Sequence, residues 1–297
     1  MKNYVKALRE LPGEGTVWGL AMRERGNKTL YQGDYSPFRF IKNSFLYWRA
    51  DPFLFDYQGD TYVFAELFNR IKGKGVIGVA KIKNGKCGRF KKCLDLPFHL
   101  SYPCVFERDH EVFLIPECAK SKKITVYRSV SFPYQWEEAY TLFEGAAVDT
   151  TPVPPTVCSR PYFFTTIKDD THPANSCLYA IDGSGKPTLL TDSDYTVRCA
   201  GHFIVDEGCV LRPSQDCTDY YGQGLIFKKT VYSAKTGSFR EDVYRYIHAS
   251  DIKTDEKKNF SGVHTYNLSE RYEIVDLCFS VGNSLPYLIK KVIKHFK

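Results

Sequence analysis

Methionine (2) and tryptophan (3) are scarce in this chain, and it contains no CxxC pair and no GxSxG, Walker or HExxH motif. Each absence excludes something. Without a Walker loop or a His-Glu pair at helical spacing, P-loop nucleotide-binding folds and zinc peptidases are not expected. The closest cysteine pair, Cys209 and Cys217, has no matching histidine spacing, so no structural zinc and no other metal or cofactor is expected. No run approaches the ~20 apolar residues of a membrane span. The first ten residues, Met1 to Glu10, hold no apolar signal core. Several of the ten cysteines, among them Cys104, Cys209 and Cys278, lie in apolar runs and read as small buried hydrophobes. Free thiols and no signal predict a reducing cytoplasm.

Charge of one sign is also weak. Lys and Arg number 41 against 34 Asp and Glu, a balance of +7. The densest basic stretch, Lys81 to Lys92, contains Asn84-Gly85 and reads as a solvated turn; with no nucleic-acid motif beside it, no nucleic-acid partner is expected. Helical periodicity is rare too. Aromatics are plentiful instead: 21 Tyr, 21 Phe and 3 Trp make 15% of the chain, residues that suit a pleated, half-buried surface.

The strands repeat. Residues 51–66 and 102–117 each carry a proline, a short apolar strand, a turn with Asp, a second apolar strand and a closing Glu. Pro52 to Pro103 and Glu66 to Glu117 are both 51 residues apart. Weaker copies run over 149–166 and 201–213, and two further strand-like runs follow each pair. Four short strands every ~50 residues is the period of a propeller blade. Four blades fill roughly 47–255, and residues 256–284 join the strand around Thr16–Ala21 in a fifth. The expected fold is an all-β, five-bladed β-propeller over 1–284, closed by both chain ends so that no sheet edge stays open.

The exception is the C-terminus. Leu285, Leu288, Ile289, Val292, Ile293 and Phe296 form one helical stripe, with Lys290, Lys291, Lys294 and Lys297 off it. A basic amphipathic helix over 285–297 is predicted. It packs on the propeller or rests on an anionic membrane surface or partner; from sequence both readings stay open.

In a propeller the innermost strands line a central channel, so the residues that open each repeat converge. These are Asp51, Ser101-Tyr102, Asp149 and the segment Arg198 to His202, with Glu66 and Glu117 ending the adjacent strands. Two carboxyl groups on one pocket are the minimum for glycosidic chemistry, one donating a proton and the other acting as base or nucleophile. Asp before Pro also caps turns, and Glu at a strand end also pairs with Arg. A polar run, Arg212 to Gly222, offers Arg212, Gln215, Asp216 and Tyr221 to sugar hydroxyls or a phosphate, or joins blades. His264 is a further candidate.

Ala50-Asp51-Pro52-Phe53-Leu54-Phe55, Ser101-Tyr102-Pro103, Pro116-Glu117, Val148-Asp149-Thr150 and Arg212 to Cys217 with Tyr221-Gly222 together resemble the N-terminal propeller domain of plant glucosamine inositolphosphorylceramide transferases and their bacterial relatives. That domain is similar to the five-bladed propellers of glycoside hydrolase family 43 and the levansucrase–invertase group. The resemblance implies a catalytic Asp in the first blade, a second Asp in the next and a proton-donating Glu beyond. Asp51 matches the first. The second blade departs, offering Ser101-Tyr102-Pro103 with no Asp, and Glu117-Cys118 resembles the invertase Glu-Cys pair one blade early.

The expected function is glycosyl transfer or glycosidic cleavage in surface-polysaccharide or glycolipid synthesis, on a glycan, nucleotide sugar or lipid-linked sugar. Asp51 is assigned as base or nucleophile, Glu117 as proton donor, Asp149 as an electrostatic or hydroxyl-orienting partner and Arg212 as substrate clamp. Glu66, Ser101, Tyr102, Arg198, His202, Gln215, Asp216, Tyr221 and His264 complete the substrate contacts. The alternative is a non-catalytic glycan-binding module that partners a separate glycosyltransferase. The expected location is cytoplasmic, at the inner membrane face if the tail docks there.

Overall fold

The computed structural model describes residues 16–167, 176–191, 194–206 and 208–281. The chain begins with β1 (Thr16–Glu24) and β2 (Arg39–Ile41). Blade I is β3 (Tyr47–Tyr57), β4 (Asp60–Asn69), β5 (Lys74–Lys83), β6 (Lys86–Cys87) and β7 (Lys91–Leu94). Blade II is β8 (Ser101–Arg108), β9 (Glu111–Glu117), β10 (Lys123–Ser131) and β11 (Gln135–Glu144). Blade III is β12 (Ala147–Pro152), β13 (Tyr162–Ile167), β14 (Cys177–Asp182) and β15 (Pro187–Thr191). Blade IV is β16 (Ile204–Asp206), β17 (Cys209–Asp216), β18 (Gly224–Ser233) and β19 (Ser238–His248). Blade V combines β20 (Phe260–Gly262), β21 (Tyr266–Leu268) and β22 (Tyr272–Ser280) with the two N-terminal strands. All pairing is antiparallel within these five sheets.

Blade V closes the ring. β22 pairs with β1 over nine residues, from Thr16↔Ser280 to Glu24↔Tyr272, and β1 pairs in turn with β2. Glu273 ties this seam inward: fully buried, it accepts the Leu30 N–H, the Tyr266 hydroxyl and the Arg23 guanidinium. The helix expected over 285–297 lies outside the described residues.

Burial follows strand order. β8 reads buried for five consecutive residues, whereas the outermost β11 and β19 are mostly exposed. Inner and middle strands lie between neighbouring blades and present apolar side chains on both faces, as Phe163 and Phe164 do with no exposed area. The aromatic surplus fills these seams: Phe132 of blade II meets Phe55, Tyr57, Tyr62 and Phe64 of blade I at centroid distances of 4.2–6.0 Å. All ten cysteines are free thiols.

Candidate active site at the opening end of the inner strands

One backbone device builds the site. In blade I the register steps from Ala50↔Glu66 to Phe53↔Phe64, in blade II from Ser101↔Glu117 to Cys104↔Ile115, and in blade III from Val148↔Thr166 to Thr151↔Phe164. Each inner strand advances three residues while its partner advances two, which is a β-bulge. The extra residue is left-handed in all three: Asp51 at φ 49°, Tyr102 at φ 43° and Asp149 at φ 55°. For non-glycine residues this costs about 1–3 kcal/mol each, and such strain persists where the surrounding structure holds it for a purpose. Blade V carries a bulge of its own, stepping from Gly262↔Cys278 to Tyr266↔Val275, so that Val263, His264 and Thr265 stand opposite two residues of β22 with none of the three left-handed.

Blade IV uses glycine. Gly201 sits at φ 137°, and a Cβ there would lie 2.1 Å from the Tyr266 carbonyl. Its N–H donates to the Tyr102 hydroxyl at 2.8 Å. Gly201→Ala is therefore expected to displace the blade IV–V contact and lower stability by roughly 1–3 kcal/mol or more, read as a fall in thermal midpoint.

The bulges free backbone N–H groups, and the carboxylates collect them. Asp276 on β22, fully buried, accepts the N–H of Asp51 at 2.9 Å and those of His264 and Thr265 at 3.1 and 2.9 Å. Asp51 accepts the Tyr102 N–H at 3.1 Å and the Thr265 hydroxyl at 3.0 Å. His264 lies between the two acids, with Nδ1 2.6 Å from Asp276 and Nε2 3.6 Å from Asp51, its ring stacked on Trp18 at 3.9 Å. Burial opposes charge on His264, but Asp276 and Asp51 outweigh it and raise its pKa. Burial pushes Asp51 up to about 6, an effect that the His264 charge offsets in part. One ligand atom each from Asp51, His264 and Asp276 lies within 4.8 Å of the others, a spacing a metal ion accepts. With Nδ1–H donated to Asp276, the other ring nitrogen faces Asp51, where it can share a proton with that carboxylate or, when bare, join it in holding an ion.

The other half of the cluster is built on Arg198. Its Nε donates to Asp149 at 2.6 Å, its Nη2 lies 3.7 Å from Glu117, and its guanidinium covers the Tyr221 ring at 5.3 Å. Gln215 adds a second donor to Asp149 at 3.1 Å. Burial and the neighbouring Asp149 carboxylate hold the Glu117 pKa well above its ordinary value. Glu66, raised well above its ordinary value by burial and by Asp51, leaves Oε1 without a hydrogen bond. After burial, the charges of Asp276 and Asp149 raise Asp51, those of Asp51, Glu117 and Asp276 raise Glu66, and those of Asp149 and Asp51 raise Glu117, so these acids act on one another's neighbourhood. Solvent reaches the cluster past Arg198 and Glu117, with side chains 21% and 18% exposed, whereas Asp51 is 9% and Asp149 3% exposed.

Other residues expected in the site are placed differently. Arg212 is fully buried inside blade IV, with Nε and Nη2 on Glu241 at 2.7 and 2.6 Å and Nη1 on the Val197 carbonyl, so its donors are committed to the fold and it is not a substrate clamp. Asp216 accepts the N–H and hydroxyl of Thr218 and shapes a turn. His202 bonds the Val105 carbonyl at 2.8 Å, and burial lowers its pKa to about 4, leaving a neutral packing residue. The Tyr102 hydroxyl joins Thr151 at 2.8 Å inside the ring. Ser101 is buried opposite Glu117. Asp276, Thr265 and Trp18 were not singled out by sequence. For Asp276 a signal exists, a single acid inside the apolar run Ile274 to Cys278.

Comparison with known proteins gives the family and agrees with the fold. The family described as "Glucosamine inositolphosphorylceramide transferase 1, N-terminal" matches residues 40–272. The chain is 37% identical over 234 residues to glucosamine inositolphosphorylceramide transferase 1 of Arabidopsis thaliana, covering 73% of this chain and 30% of that protein. The same-named protein of Oryza sativa subsp. indica is 29% identical over 229 residues, with 73% and 29% covered. The chain thus spans about 30% of the length of these curated relatives. Among solved structures, a thermostable family-43 glycoside hydrolase superposes with a TM-score of 0.54 at 13% identity, covering 77% of this chain and 88% of that one. The catalytic domain of a Coprinopsis cinerea GH62 alpha-L-arabinofuranosidase gives 0.56 at 11% identity, with 90% and 98% covered. At such identities the likeness establishes the propeller fold alone. By the match over 40–272, the chain belongs to the glucosamine inositolphosphorylceramide transferase 1 N-terminal family.

Proposed function

We propose that the protein acts on a glycan or activated sugar at the carboxylate cluster, by glycosyl transfer or glycosidic cleavage, in the synthesis of a glycolipid or surface polysaccharide. The observation that supports this reading is the repeated left-handed bulge at Asp51 and Asp149, with Arg198 reaching both Asp149 and Glu117. Asp51 serves as base or nucleophile. Glu117, held protonated by burial and Asp149, gives its proton to the leaving oxygen. Asp149, anchored by Arg198 and Gln215, orients a hydroxyl, and the exposed flank of Arg198 over Tyr221 receives the sugar. The relatives' names support carbohydrate chemistry.

The test is Glu117→Gln on paired donors. A leaving group that departs without protonation needs no acid, so turnover should fall about 10²–10⁴-fold with a poor leaving group and far less with an activated one. Equal losses on both donors would remove Glu117 from the acid role.

The pH profile follows. Asp51 must be ionised, and its pKa lies near about 6. Turnover is therefore expected to rise as pH passes about 6 and to fall where Glu117 loses its proton. Asp51→Asn should abolish the acidic limb.

A second reading has its own support. Tyr102 occupies the blade II position of the bulge, with no acid there, and its side chain is committed to Thr151 and Gly201. A glycan-binding module partnering a separate glycosyltransferase needs no third acid. Glycan binding without turnover across a donor panel by the parent protein would favour it.

A further inference from the structure

A second site lies between blades V and I. A cavity of about 300 Å³ is walled by Phe40 and Phe279 and lined by Lys42, Asn43, Arg70 and Lys258. That volume is at the lower end of small-molecule sites. Its charge is lopsided: three cations face one acid, Glu256, which lies 2.6 Å from Lys258 and 3.8 Å from Lys42. Arg70 is left over. Its Nε is buried with no hydrogen bond, and no acid among the described residues pairs with its guanidinium. Arg70 itself is half-buried, so the rest of its guanidinium stays accessible, and such a fork matches a phosphate with two parallel bonds.

Asn43 repeats the pattern. Its Nδ2 donates to the Trp18 carbonyl, while its buried Oδ1 has no partner and is free to accept from a protonated oxygen. Two unanswered polar groups, one donor and one acceptor, thus line one cavity. Lys258 rests over Phe40 at 3.9 Å and Phe279 at 4.8 Å, which fixes its ammonium at the wall without consuming all its donors. The cavity shares its supporting elements with the carboxylates. Arg70 lies four residues beyond Glu66 along the chain, and Asn43 holds the backbone of Trp18, whose ring stacks on His264.

We propose that this cavity is a phosphate-binding site, in which Arg70 and Lys258 hold the anion, Asn43 Oδ1 accepts from a hydroxyl of the same ligand and the two phenylalanines cover the adjoining apolar part. It is separate from the carboxylate cluster, and its occupancy does not depend on the chemistry assigned there. The phosphate belongs either to a soluble phosphorylated molecule or to a lipid headgroup.

Calorimetric titration of the 297-residue chain with inorganic pyrophosphate, alongside co-sedimentation with phosphatidylglycerol vesicles, tests this. Arg70→Gln and Lys258→Ala are compared with the parent, and their thermal midpoints are checked for an intact fold. Pyrophosphate binding that Arg70→Gln weakens at least ~10-fold, with a smaller loss for Lys258→Ala, supports a soluble ligand; ten-fold corresponds to about 1.4 kcal/mol. Loss of vesicle binding in Arg70→Gln with no pyrophosphate binding by the parent supports a headgroup. Affinity should weaken as salt is raised. Parent protein that binds neither probe, or folded variants that bind both as the parent does, overturns the proposal. Asp51→Asn serves as the control: it should bind pyrophosphate like the parent even if it abolishes turnover.

Discussion

Asp51→Asn is expected to reduce turnover about 10²–10⁴-fold while leaving sugar affinity within a few-fold. The substitution removes the ionisable oxygen but keeps an acceptor. An amide oxygen still takes the Tyr102 N–H that the carboxylate takes at 3.1 Å, so the blade I–II connection survives. His264 loses one of its two carboxylate neighbours and keeps the closer, Asp276 at 2.6 Å. Its pKa should fall because an attraction that raises it is gone. Steady-state rates and equilibrium binding on the same preparation measure both effects. A variant that turns over like the parent would end the assignment of Asp51 as base or nucleophile. A variant that loses binding and melts early would instead make Asp51 a strut of the ring.

Arg212→Ala is expected to act on stability. The guanidinium is fully buried and forked onto Glu241, whose own pKa it lowers against the opposing effect of burial. Removing one partner of such a pair leaves an uncompensated buried charge, at a cost of ~3–5 kcal/mol. For a chain of this size the midpoint should drop on the order of 10 °C. Replacing both partners together, Arg212→Met with Glu241→Leu, should cost much less, because no charge is then stranded. Unchanged stability with weakened sugar binding would restore Arg212 to the site.

The fold was readable because strand, turn and strand recur in phase: Pro52 and Pro103, like Glu66 and Glu117, mark the same places in consecutive blades. Asp51 and Asp149 were readable for the same reason, since each opens an inner strand. What sequence could not show is which way a residue points within a strand. Arg212 and Gln215 are three apart on β17, and with side chains alternating they face opposite sides: one meets Glu241, the other Asp149. Blade V hid its contribution differently. Its inner strand is split into β20 and β21 of three residues each, and its outer strands come from the N-terminus, so no repeat announced the bulge at His264. Asp276 was masked by its apolar neighbours, although its carboxylate binds three backbone N–H groups from two blades.

The most direct test is where a sugar sits. A crystal structure of the Asp51→Asn, Glu117→Gln double variant, soaked with a panel of nucleotide sugars and oligosaccharides, decides it. The account predicts a ring against Tyr221 and Arg198, with its glycosidic oxygen within hydrogen-bonding distance of residue 117. Sugar found only on the outer strands of the blades, with the Arg198 bridge to Asp149 closed and the cluster empty, would contradict it.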